Sequence, residues 1–184
     1  MDLFEAIMGR RSVRKFTSDP VGDGEVRKIL EAARWAPSWA NTQCWEFIIV
    51  RSPETKKALS ETLSRRNPAI EAVEKAPVVI VACGRKRVSG YYKGKAVTRK
   101  GDWLMFDVAL AVQNICLAAH AMGLGTVIVG AFDDEKASKI LAIPENVEIV
   151  AIIPLGRPAE KHRAPPRRSV EEFTHYESYG NKQR

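Results

Sequence analysis

Apolar residues at positions 3, 4 and 7 recur at helical spacing, so residues 2–9 are predicted to form a short helix with Leu3, Phe4 and Ile7 on one face. The pattern returns after Asp23, a candidate N-cap, where Val26, Ile29, Leu30 and Ala33 share a face until Pro37 stops the helix. Residues 47–50 form a short apolar run rich in β-branched side chains and predict a strand. Pro53 opens a charged helix reaching about Arg65, and residues 68–74 form another short one. Residues 78–83, VVIVAC, are continuously apolar, as in a strand buried on both faces. Residues 84–101 follow neither period and read as a loop. The apolar stretch 102–122 predicts a long helix ended by Gly123. A strand at 126–129, a helix at 133–141 and a last strand at 147–155 complete the pattern. From Gly156 the tail is rich in proline and arginine and has no core pattern of its own. This order predicts one α+β domain over residues 1–184, a sheet of about four or five strands with helices on both faces.

Composition narrows the class. The 184 residues are 45% apolar and 28% charged, which excludes disorder, collagen and coiled coil as overall readings. The cysteines, Cys44, Cys83 and Cys116, are three, scattered and never arranged as CxxC. A disulfide framework and a zinc ribbon are therefore not expected, and a reducing cytoplasm is. The opening MDLFEAIMGRRS has acids where an export signal needs a basic segment, so none is expected. Residues 103–122 are 16 of 20 apolar, enough to span a bilayer. Asp107, Gln113, Asn114 and His120 interrupt them, and a mid-helix Asp costs about 2.5–3.5 kcal/mol to insert. A buried central helix is expected instead, with part of its surface packed against its twin in a two-fold dimer.

The net charge is +7, and the basic residues fall in three places. Arg10, Arg11, Arg14 and Lys15 form one cluster, residues 85–100 hold seven basic residues and no acid, and residues 157–168 hold the third. Nucleic acid, a phosphorylated cofactor and a plain solvated surface all fit a charge of that sign. Catalytic motifs are missing. His120, His162 and His175 have no metal-binding spacing, so no metal is expected. There is no GxSxG, no GxxxxGK[ST] and no strand-to-helix GxGxxG. An enzyme built this way would rely on a bound cofactor for its reactive group.

Three segments stand out. Residues 10–16, RRSVRKF, put three arginines and a hydroxyl within five residues after a short helix, suited to gripping a phosphate or to a basic surface turn. Residues 36–47, APSWANTQCWEF, set two tryptophans among small hydrogen-bonding side chains. They suit a planar heteroaromatic ring, or a core contact with turn formers beside it. The third is a pair, GLGTVIVGAF at 123–132 and PPRRSVEEFTHYE at 165–177. Its Gly130 permits close approach to a ligand, and its Arg167 and Arg168 lie in a tail too polar to dock by packing.

These segments, in this order, resemble the nitroreductase family of flavoproteins from residue 2 to about 180. RRSVRKF resembles the family's RRSxRxF, and APSWANTQCWEF its APSxxNxQPWxF. Residues 107–132 resemble its central helix and following strand, and LGRPAE with RRSVEEFTHYESYG its closing LGYPAE…RxPLEExVHYExxG. The resemblance implies an FMN-binding α/β sandwich with a mostly antiparallel sheet. It also implies a homodimer with FMN at the interface, the tail 157–184 completing the site. Arg10, Ser12 and Arg167 would hold the phosphate, with Arg11 or Arg168 assisting. Arg14 would sit toward the flavin N1–O2 edge. Pro37, Ser38, Trp39 and Asn41 would reach the partner subunit's flavin, and Ile128, Val129 and Gly130 would line the ring. NADH or NADPH would reduce the flavin and leave before a small electron-poor acceptor, a nitroaromatic or quinone, takes its place. Reductive dehalogenation and flavin fragmentation stay open as alternative reactions. A nucleic-acid-binding module is disfavoured, since phosphate motifs already claim the first and last basic clusters and no binding motif is present. Two positions depart from the family pattern: Cys44 stands where proline is usual, and Pro165 where lysine is frequent.

Overall fold

A computed structural model of the chain describes residues 1–160 and 163–182; His162 lies outside them. The main sheet has four antiparallel strands in the order β1 (Trp45–Val50), β2 (Val78–Arg85), β6 (Val147–Gly156), β5 (Gly125–Thr126). The helices are α1 (Leu3–Gly9), α2 (Asp23–Arg34), α3 (Pro53–Ser60), α4 (Ile70–Lys75), α5 (Leu104–Ala121), α6 (Asp134–Ile140) and α7 (Val170–Phe173).

The alternation of β2 builds two cores. Val78, Ile80 and Ala82 face α2 and α5, packing with Ile29, Val108, Ala111 and Ile115. Val79, Val81 and Cys83 face the other way, against Leu59, Val73 and Ala137 of α3, α4 and α6. Burial on both faces is what a continuous VVIVAC run demands. The expected α+β sandwich is therefore the observed one.

Several boundaries move for identifiable reasons. The N-cap of α2 is Gly22, whose N–H donates to Glu25 at 2.9 Å; Asp23 instead pairs with Arg51 at 2.7 Å. Helix α3 ends at Ser60, five residues early, because the Thr62 hydroxyl turns back to Leu59 O and Leu63 bridges to Phe132. The expected loop 84–101 holds a small hairpin, β3 (Tyr91–Tyr92) and β4 (Lys95–Ala96).

The expected strand at 126–129 is broken. Thr126 pairs with Leu155, and Val129 bridges to Ile152 in the same register. Val127 between them faces Pro154, which has no N–H to donate. The break leaves Ile128 50% exposed beside a buried Val129.

The apolar face of α1 is not covered by this chain. Leu3, Phe4, Ile7 and Met8 are all exposed, and only Ala6 is buried. Met105 and Phe106 are exposed as well, at the opposite end of α5 from the His120 turn that α1 meets, while Leu104, Val108, Ala111, Val112, Ile115, Cys116 and Ala119 of the helix enter the core. By length and composition α5 could cross a membrane, but its Asp107 is buried inside the fold and hydrogen-bonded there.

Candidate functional site

The segment after α1 runs beside β5. Ser12 forms a parallel bridge with Thr126, and the Val13 N–H donates to Thr126 O at 2.9 Å. The approach is close: a Cβ on Gly125 would lie 2.6 Å from Val13 Cγ2. This packing turns Arg10 and Arg11 into a cavity of about 330 Å³ that they line with Ile7, Met8, Pro165 and Arg167. A second cavity of about 290 Å³ adjoins it, reaching Cys116 and His120.

Among the described residues Arg10, Arg11 and Arg167 of this cavity form no ion pair, nor does Arg14 outside it; Glu160, which lines the adjoining cavity, pairs with Lys15. Arg11 is held by Met8 O at 2.6 Å and Arg10 O at 2.8 Å, and its Nε is buried with no partner among the described residues. Burial, then the Arg10 and Arg11 charges, push the His120 imidazole below its ordinary range, so it adds no further charge at neutral pH. Unpaired guanidiniums around a concave site suit a phosphate.

Residues 37–44 lie at the far end of α5. Ala40, Asn41 and Gln43 have φ of 44°, 56° and 46°, left-handed backbone that favours glycine. The Ser38 hydroxyl accepts the Gln43 N–H at 2.9 Å, and the Gln43 amide donates to Asn41 Oδ1 at 3.2 Å. The Trp39 N–H donates to both carboxylate oxygens of Asp107, at 3.1 and 3.2 Å. The Trp39 ring lies 5.4 Å from that of Trp103, which packs edge-on against Phe106. Pro37 and Asn41 are exposed, so this loop presents side chains outward.

The remaining expected residues divide. Ile128 and Gly130 are exposed just past β5, and a Cβ on Gly130 would touch nothing of this chain within 4 Å. Arg14 is exposed. Arg168 does not line the arginine cavity; it donates to Glu172 O at 2.8 Å and lies over the Phe173 ring. Within one chain the arginine cavity and residues 37–41 are apart. Asp107 and His120, which mark the two ends, are thirteen positions apart on one helix, about 20 Å along its axis.

Sequence reasoning missed the contacts that Asp107 makes. Its charge in an apolar helix counted only against a membrane span, although a lone buried carboxylate also signals donors gathered around it. Nor do Ser89, Trp103 and Phe106 stand out by spacing, because they meet Asp107 and Trp39 only through the fold.

Cys44 is fully buried, as are Cys83 and Cys116. Burial and then the Asp107 charge push the Cys44 thiol up to about 12, and burial takes Cys83 to about 11, from an ordinary 9.0. The stability that follows from keeping these thiols neutral is whole below about pH 9 and is lost as pH rises toward the folded values. Native protein should therefore resist iodoacetamide at pH 8, with full labelling only in denaturant, and should lose urea resistance between pH 9 and 11. Mass spectrometry reads the first and equilibrium unfolding the second; rapid native labelling of Cys44 would contradict both.

A model of the Nitroreductase family matches residues 7–157. An NADH dehydrogenase of Thermus thermophilus is 32% identical over 92% of this chain and 95% of its own length. An FMN reductase [NAD(P)H] of Bacillus subtilis is 29% identical over 98% of this chain and 75% of its own. The crystal structure of a nitroreductase family protein from Clostridium novyi NT superposes with a TM-score of 0.77 at 31% identity, covering 98% of this chain and 96% of that one.

Proposed function

The chain belongs to the nitroreductase family, and from that premise we propose that it is an FMN-dependent oxidoreductase that oxidises NAD(P)H and reduces a small electron-poor acceptor of the nitroaromatic or quinone type. The observation that carries this reading is the cavity of Arg10, Arg11 and Arg167, cationic, concave and without a carboxylate partner among the described residues. The buried Arg11 Nε, with no partner among the described residues, fits an anionic ligand, and open space at Gly130 fits a ring laid against the backbone there.

In this reading the domain is residues 1–184, with the tail 157–184 completing the site through Arg167. Arg10, Arg11 and Arg167 neutralise the phosphate, and Ser12 is placed beside them by its bridge to Thr126. When bound, FMN supplies hydride transfer between nicotinamide and acceptor. Arg14 would supply positive charge toward the N1–O2 edge of the ring. Ile128, Val129 and Gly130 shape one face, with Ile128 and Gly130 exposed on either side of a Val129 whose N–H and C=O are both bonded to Ile152. No side-chain acid or base is needed.

Pro37, Ser38, Trp39 and Asn41 complete the site from a second copy of the chain. The separation of about 20 Å along α5, roughly two thirds of the diameter of a small domain, puts them beyond the ligand held by the arginines of their own chain. The exposed Leu3, Phe4, Ile7, Met8, Met105 and Phe106 offer apolar surfaces for that contact. Three buried free thiols support a reducing compartment, the cytoplasm.

Purified protein should be yellow, release FMN on denaturation, sediment as a dimer and consume NAD(P)H in the presence of nitroaromatics or quinones. Colourless protein that neither binds added FMN nor oxidises NAD(P)H would refute the proposal. Its cationic hairpin bears on the co-substrate. Lys93, Lys95, Arg99 and Lys100 form no ion pair among the described residues, and their charge should draw in anionic NAD(P)H. Neutralising all four should raise KM for NAD(P)H and flatten its salt dependence, with FMN content unchanged; a parent-like KM and salt slope would leave the hairpin a solvated surface.

A further inference from the structure

Asp107 is 1% exposed, in the first turn of α5, and no cation faces it among the described residues. Its partners are neutral donors from two irregular segments. The Ser89 hydroxyl, from the stretch leading into the β3–β4 hairpin, donates at 2.6 Å. The Trp39 N–H donates at 3.1 and 3.2 Å, and the Cys44 thiol at 3.8 Å, both from the loop before β1. The thiol keeps its proton at neutral pH, so it remains a donor.

A buried carboxylate held only by neutral groups contributes poorly to stability, because its desolvation offsets much of what its hydrogen bonds return. Its effect is on position. The loop it holds contains three left-handed non-glycine residues in four, a conformation that persists only when surrounding contacts fix it. The Trp39 N–H lies immediately before that strained stretch, and Cys44 closes it. Through Ser89 the same carboxylate fixes the base of the cationic hairpin, whose far flank packs Trp103 onto Trp39. One side chain therefore sets both segments against the same end of α5.

We propose that Asp107 is a positioning residue that acts in trans, holding Pro37–Asn41 and the Ser89 segment in the shape needed at the flavin of the partner subunit. The inference rests on the two-chain site described above. The chain's own arginine cavity, about 20 Å away along α5, is untouched by Asp107.

The test uses the FMN-loaded dimer. Asp107→Asn should retain FMN to within twofold of parent and keep the far-ultraviolet spectrum, while kcat/KM for the acceptor falls at least tenfold and the visible circular dichroism of the flavin changes. Ser89→Ala removes one donor without touching the carboxylate and should raise KM severalfold at nearly unchanged kcat. It carries the test if Asp107→Asn fails to fold. Mixed dimers then assign the direction. Asp107→Asn is paired with a chain carrying Arg10→Ala and Arg167→Ala, and the mixed species is isolated by two affinity tags. One of its two sites combines intact arginines with an intact Asp107 from the other chain, so it should recover about half of parental activity. A mixed dimer no more active than the Asp107→Asn homodimer, or parent-like kinetics in both single variants, would overturn the proposal. Absence of FMN from the parent protein would instead refute the functional reading itself, before any variant is made.

Discussion

Replacing Arg167 with alanine is expected to cut FMN affinity about tenfold or more while the protein stays folded, whereas Arg163→Ala should change neither. Both arginines lie in the exposed tail, four positions apart in sequence, so composition and net charge change equally. Only Arg167 lines the cavity with Arg10 and Arg11. A charge-assisted hydrogen bond to phosphate contributes about 1.5–3 kcal/mol, which sets the size of the effect. Because Arg167 makes no ion pair among the described residues, its removal strands no buried charge and should leave thermal stability near parental. Flavin titration by fluorescence quenching measures both variants. Equal affinities would remove Arg167 from the site and leave the phosphate to Arg10 and Arg11 alone.

Most of the fold follows from local pattern. The β2 run and the periodic face of α2 each fix a burial direction without reference to the rest of the chain. What local pattern does not determine is pairing. Residues 126–129 have the composition of a strand, yet their ladder depends on a partner lying in β6, and Pro154 of that partner withholds the N–H facing Val127. The signal was present in the sequence, but reading it requires the register. The apolar face of α1 is a similar case: its periodicity predicts burial, and nothing in a single chain says that the cover is absent.

The site divides along the same line. Arg10, Arg11 and Arg167 line one cavity, in keeping with what the family resemblance implied; clustering alone left residues 10–16 open between a phosphate grip and a basic surface turn. Arg168, adjacent in sequence, is drawn away by Glu172 O and Phe173, which no spacing rule distinguishes. The distance between Asn41 and the arginines was not legible at all. It is set by the length of α5, and it converts a list of candidate residues into an argument for two chains.

Gly125 and Gly130 separate stability from binding within this site, and alanine at each should have opposite signatures. At Gly125 a Cβ would sit 2.6 Å from Val13 Cγ2 and 2.7 Å from Val13 Cβ, a β-branched residue held by its own bond to Thr126. Neither side can yield cheaply, and overpacking of this kind costs about 1–3 kcal/mol. For a chain of this size that lowers Tm by about 2–4 °C per kcal/mol. The strain falls on the segment that carries Arg10, Arg11 and Ser12, so FMN affinity should fall with stability. At Gly130 the added Cβ meets nothing of this chain within 4 Å, and the backbone is outside the left-handed region, so apoprotein stability should stay within about 0.5 kcal/mol of parent. If the flavin lies against that backbone, the same methyl group occupies space the ring needs, and affinity should drop without any change in the apoprotein melt. Differential scanning calorimetry of the apo forms and flavin titration of the same samples give both quantities. Gly125→Ala melting with the parent would show that the Val13 contact relaxes freely. Gly130→Ala binding FMN as tightly as the parent would place the ring elsewhere.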